Sequence, residues 1–267
     1  MQNNTSLDTL CAALCEIAGV KAPSTANAPE ENLIEYAKNA FEGAKADRIF
    51  MYNPDAVAQW IYEKYPDLMR EAIARTELAV PFKTVMPSVT PVCFGTMYTG
   101  AQPSVHGIQK YEKPVIKIET IFDAFIAAGK KPVIIADTSC SIGKIFLERE
   151  MDYFLYNTYE EVNAKAAEVI MQDKYDLVVV YNGNYDSRMH KVGPEGYEAL
   201  AELRCNSRAF GTFDELIRRY WKGHNTLVGF AMDHGCHLID GDCGSHGLDM
   251  DEDINIVHLY KAYKKEI

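Results

Sequence analysis

The chain has 267 residues with a formal net charge of −11, and 48% apolar against 24% charged residues is an ordinary globular balance that excludes disordered and fibrous classes. The acidic surplus argues against a nucleic-acid polymer or an anionic membrane as partner, since either needs a basic face. The start "MQNNTSLDTLCAALCEIAGV" lacks the basic lead of a signal peptide, no run is long and apolar enough for a membrane span, and seven cysteines without a CxxC pair fit reduced thiols in a cytoplasm.

Residues 6–18 and 30–44 carry apolar positions at helical spacing, separated by the Pro/Ala/Ser/Asn-rich "KAPSTANAPEEN", and predict an N-terminal helical extension over 1–46. "DRIFMYN" (47–53) is a short apolar run of strand type, followed by a helical pattern from Ala56 to about Arg75. In "MPSVTPVCFGTMYTG" a proline disfavours helix for the residue before it and suits the first helical turn. Thr90 is therefore expected as an N-cap and Pro91 as N1. The Thr90 hydroxyl would then stand where free amides and the helix dipole favour an anion such as phosphate.

Strand-type runs recur at 131–137, 175–182, 225–233 and 254–260, with helical stretches near 119–128, 158–173 and 194–220. Apolar residues on consecutive positions suit strands covered on both faces. The expected fold is α/β, a mostly parallel central sheet flanked by helices on both faces, with a small substrate-facing insertion somewhere in 101–175.

In such a sheet ligands bind beyond the carboxyl ends of the strands. Asp55 follows "RIFMYNP", Asp186 follows "DLVVVYNGNY" and Asp233 follows "LVGFAM", so separate parts of the chain deliver carboxylates to one edge. His190 lies in "DSRMH", His234 directly follows Asp233, and His246 sits in the Gly-rich "GSHG". Three carboxylates and three imidazoles with no basic neighbour would be costly to bury unless cations neutralise them. Mixed oxygen and nitrogen donors suit zinc, manganese or iron, and six groups exceed one four-coordinate ion, so two metals are expected. A threonine coordinated to a metal becomes a competent nucleophile toward phosphorus.

This ordered set resembles the alkaline phosphatase superfamily, and within it the type I phosphodiesterase/nucleotide pyrophosphatase-like branch, over about 47–258. The motifs of that family are an aspartate after the first strand, a helix-capping Thr or Ser, D-x-x-x-H, D-H-G and a late histidine. They fall on Asp55, Thr90, Asp186 with His190, Asp233 with His234, and His246. "PSVTPVCFGTMYTG" and "SVHGI" are similar to the text around the family's nucleophile.

The resemblance implies an alkaline phosphatase-like catalytic domain over 47–267. It also implies one divalent metal on Asp55, Thr90, Asp233 and His234 and a second on Asp186, His190 and His246, zinc first and manganese next. The activity implied is hydrolysis of a small anionic phosphoester through a phosphothreonine at Thr90; a phosphonate hydrolase, a phosphomutase or a non-catalytic metal- and phosphate-binding sensor are the alternatives. Two positions depart from the family. Ala56 stands where Asp-Gly is usual, and Cys93, the expected substrate contact, replaces an asparagine and is a weaker donor.

Alone, Thr90 would read as a structural cap, His106 in "SVHGI" as a turn former, and Cys93 and Cys236 as small buried thiols. "TSCSIGK" (138–144) lacks the first glycine and the Ser/Thr of a P-loop, and "DMDED" (249–253) has Ile254 where a calcium loop needs glycine, which leaves a solvated acidic turn. A sulfatase would need C/S-x-P-x-R at the nucleophile, which "TPVCF" does not provide.

Overall fold

The structure, a computed structural model, describes residues 2–266. Its central sheet takes strands from Thr5–Ser6 (β1), Arg48–Pro54 (β2), Leu78–Lys83 (β3), Pro132–Asp137 (β4), Asp152–Tyr156 (β5), Leu177–Asn182 (β6), Thr226–Phe230 (β7) and Asn255–Tyr263 (β10). His237–Ile239 (β8) and Cys243–Ser245 (β9) form a separate antiparallel hairpin. The α-helices are Leu10–Ala18 (α1), Glu31–Ala40 (α2), Gln59–Lys64 (α3), Arg70–Ile73 (α4), Thr90–Thr99 (α5), Pro103–His106 (α6), Ile121–Ala127 (α7), Ile142–Ile145 (α8), Tyr159–Gln172 (α9), Asn184–Val192 (α10), Tyr197–Tyr220 (α11) and Asp251–Ile254 (α12).

The strand order is β1-β3-β10-β7-β2-β6-β4-β5, with every neighbouring pair parallel except the two made by β10. The fold is the expected mostly parallel α/β arrangement of alkaline phosphatase type. The two-residue period of β2 explains its layers. Phe50 and Tyr52 pack on Phe213 of α11 with ring centroids 5.5 and 5.7 Å apart. Asn53 points to the other face, where Tyr98 of α5 donates to its Oδ1 at 2.6 Å. A strand dressed this way on both sides must be apolar at consecutive positions, and "IFMY" is.

Several elements differ from the sequence expectation. The long helix from Ala56 to Arg75 is two short ones, because Pro66 lacks an amide and forces Tyr65 out of helical geometry (φ −122°, ψ 49°). Much of the stretch 101–175 belongs to the central fold, supplying β4 and β5 to one side of the sheet together with α7, α8 and α9. The N-terminal helices pack into the same hydrophobic core as the rest, and β1 adds a parallel pair to β3. Among the described residues no helix is long and apolar enough to cross a membrane.

Candidate metal centre

β2 lies between β6 and β7 and runs parallel to both, so all three end at one edge of the sheet. Asp55 is the first residue past β2, and its amide donates to Asn182 O at the end of β6 (3.0 Å). Asp233 and His234 follow β7, and Asp186 and His190 lie one turn apart on α10. Thr90 opens α5, and His246 is the first residue after the β8–β9 hairpin. Every sequence-predicted ligand arrives at the same edge.

Two trios result. Asp55, Asp233 and His234 are buried, whereas Asp186, His190 and His246 are partly exposed, and within each trio the ligand atoms lie within 4.8 Å of one another. In the buried trio His234 Nε2 is 3.3 Å from Asp55 Oδ1 and 3.4 Å from Asp233 Oδ2. The Thr90 hydroxyl is 3.3 Å from both Asp55 Oδ2 and His234 Nε2. In the outer trio Asp186 Oδ1 is 3.2 Å from His190 Nε2 and 3.4 Å from His246 Nε2. The trios adjoin, with the His234 and His246 rings 4.1 Å apart between centroids.

The donor chemistry fits cations. Asp55 Oδ1 and Asp233 Oδ2 are buried carboxylate oxygens with no hydrogen-bond partner, a costly state for an anion. Each ligand histidine directs Nδ1 to a main-chain carbonyl: His190 to Gly244 O, His234 to Gly235 O, His246 to Ser88 O. With Nδ1 as donor the neutral ring turns its Nε2 lone pair inward. His190 and His246 thereby face each other nitrogen to nitrogen at 3.2 Å.

Burial, then the charge of Asp186, raises the Asp55 carboxyl; burial and the charge of Asp55 push Asp233 well up. Burial also works against Asp186, yet its hydrogen bonds from His190 and His246 hold it below the usual range. His190 in return rises to about 9, chiefly through its bond to Asp186. Its proton does for Asp186 what a cation would do.

Thr90 is the first residue of α5 and the extended Val89 is its N-cap, one position earlier than expected. Pro91 has no amide and the Val92 and Cys93 amides turn back to Val89 O (3.0 Å each), so Thr90's own N–H is the free donor of that turn. Ala56 keeps the left-handed turn that glycine would adopt (φ 61°), at a cost of about 1–2 kcal/mol, and donates its amide to Asp233 Oδ1 at 3.2 Å.

Cys93 does not line the cleft. It is fully buried with Sγ 3.1 Å from Thr84 Oγ1, turned into the core. His106 bonds Thr96 Oγ1 at 3.1 Å and accepts from the Ile108 amide at 3.3 Å, and so shapes a turn.

Thr90, Asp55 and Asp186 open into a cleft of about 450 Å³. Its other walls come from Tyr111, Lys113 and Tyr159, and from Tyr181, whose hydroxyl donates to Asp55 Oδ2. Sequence reasoning missed Tyr181. It ends an apolar strand run, where nothing in residue type distinguishes a core phenol from one aimed at a ligand.

No family model matches the chain, and no curated protein does. Solved structures do. Murine ectonucleotide pyrophosphatase/phosphodiesterase 5 superposes with a TM-score of 0.58 at 18% identity, over 73% of this chain and 58% of that one. An inactive threonine-to-alanine variant of the murine protein in complex with AMP gives 0.58 at 19% identity, over 73% and 59%. The human protein gives 0.55 at 17%, over 72% and 58%. The chain thus spans a little under three fifths of these neighbours, and what it shares with them is the fold.

Proposed function

We propose that the protein is a two-metal phosphoric-ester hydrolase of phosphodiesterase or nucleotide pyrophosphatase type, with Thr90 as nucleophile. The observation that carries this reading is the Thr90 hydroxyl, 3.3 Å from Asp55 Oδ2 and from His234 Nε2, beside carboxylate oxygens that lack partners.

Asp55, Asp233 and His234, with Thr90, would hold one cation; Asp186, His190 and His246 would hold the other. Bound there, divalent zinc or manganese would acidify the threonine hydroxyl and neutralise charge on the phosphoryl group and the departing oxygen. Thr90 Oγ forms a bond to phosphorus as the alcohol or phosphate leaves in line. Water then cleaves the phosphothreonine, releasing the second product and restoring the hydroxyl. Tyr181 and Ala56 N–H fix the orientation of Asp55 and Asp233.

The AMP bound to the murine neighbour supports nucleotides as the first substrates to try, in a cleft large enough for a nucleotide-sized group. Seven free cysteines, most of them buried, support a reducing, cytoplasmic setting.

Thr90→Ala should still take up two equivalents of zinc in a calorimetric titration while losing about 10³-fold or more of its turnover of bis(p-nitrophenyl) phosphate. Turnover at the parental rate would remove Thr90 from the mechanism.

A further inference from the structure

The acidic turn at 249–253 is only partly solvated. Asp249, Asp251 and Glu252 face water, but Asp253 is fully buried. Its Oδ1 pairs with His237 Nδ1 at 2.7 Å, its Oδ2 accepts from the Leu248 amide at 2.9 Å, and its carbonyl accepts from the Gly235 amide at 2.7 Å. Gly235 follows the ligand His234, and Leu248 lies two residues past the ligand His246.

The approach of these segments is tight: a Cβ at Gly235 would lie 2.0 Å from Glu252 O. From the opposite side Ser88 completes the clamp. Its carbonyl holds His246 Nδ1 at 3.1 Å and its hydroxyl donates to Leu248 O at 3.4 Å.

The two trios depend on this clamp unequally. Asp55, Asp233 and His234 ride on the ends of adjacent strands β2 and β7, and Asp186 and His190 on one turn of α10. His246 instead follows the β8–β9 hairpin, whose strands pair with each other and not with the central sheet, and in which His237 lies opposite Ser245. We infer that Asp253 is a positioning residue: by tying the Leu248 amide and His237 to its buried carboxylate, it holds His246 at the distance from Asp186 and His190 that the outer cation requires. The inference rests on the two-metal reading of the site.

The test is a calorimetric titration of the chelator-stripped full chain with zinc alone and with manganese alone. The parent should take up two equivalents; fewer than two would overturn the two-metal reading itself, and the inference with it. Asp253→Ala should keep one equivalent at parental affinity and bind the second at least tenfold more weakly, as His246→Ala should. Asp253→Asn should restore both, since its Oδ1 can accept from Leu248 while its Nδ2 donates to His237 Nδ1 in the other tautomer.

Two parental equivalents in Asp253→Ala would overturn the inference, and so would loss of both together, which marks a general structural role. Should Asp253→Ala fail to fold, Asp253→Ser, too short to reach the Leu248 amide, is read the same way.

Discussion

Burial drives the imidazoles of His106 and His258 to about 4, and the weaker support from main-chain bonds does not compensate. Both are neutral in the native protein, whereas in the unfolded chain they take a proton near pH 6.5. Between pH 6.5 and 4 the unfolded state therefore binds more protons, so stability falls as pH falls through that window. For the fully buried His258 the full effect is up to about 3 kcal/mol. The raised carboxyls of Asp55 and Asp233 act in the opposite sense, so the comparison must be between variants. The difference in urea midpoint between pH 7.5 and pH 5 should shrink in His106→Gln; an unchanged difference would show that His106 already titrates in the native state.

The same scale explains why the proposed ligands were legible. Asp55, Asp186, His190, Asp233, His234 and His246 carry their chemistry in their residue type, and each follows a readable strand or motif. Asp253 and Tyr181 did not, because what they do depends on neighbours distant in the chain: Leu248, His237 and Gly235 for one, Asp55 for the other.

Among the elements, legibility followed burial. The strands buried along nearly their whole length, β2, β4, β6 and β7, were found within a few residues because their central positions are apolar in unbroken runs. β3 and β5 are half exposed, and Pro81 within β3 hides its pairing with β10. α10 buries only Tyr185 and Met189 and otherwise carries polar residues such as Asp186, Arg188, His190 and Lys191, too few apolar positions to announce a helix.

α7 shows what local chemistry contributes to an element away from the cleft. Thr120 and Asp123 form a reciprocal capping box, and Arg149 Nε reaches Asp123 Oδ2 at 2.9 Å while its Nη2 donates to Ile116 O at 3.0 Å. The Arg149 side chain is 6% exposed and that of Asp123 33%, so a nearly buried guanidinium and a partly exposed carboxylate tie the segment after Lys113 to α7. Thr120→Ala should cost about 1 kcal/mol, the worth of a cap. Asp123→Ala should cost more, about 1.5–3 kcal/mol, because it also removes a charged hydrogen-bond partner from the nearly buried Arg149 guanidinium. Equal losses in urea unfolding would show that Arg149 finds another partner at no cost.

At the scale of the whole molecule, the edge of the sheet that gathers three carboxylates works against folding unless positive charge is gathered with them. The net charge of −11 adds a diffuse repulsion over the surface, but the two costs respond differently to ions. Added sodium chloride screens exposed charges over about 8–10 Å and reaches buried oxygens poorly. A cation bound between Asp55, Asp233 and His234 acts on the native state alone, stabilising it by about 2.7 kcal/mol at a hundredfold excess over its dissociation constant.

For a chain of this size that corresponds to roughly 5–10 °C in melting midpoint per cation. Zinc or manganese added to the chelator-stripped protein should therefore raise the midpoint in two increments, the larger from the buried trio with its two carboxylates. Sodium chloride at matched ionic strength should reproduce neither. If monovalent salt gave the same rise, the stabilisation would come from the general acidic surface, and the convergence of Asp55, Asp186 and Asp233 would have to be explained without bound metal.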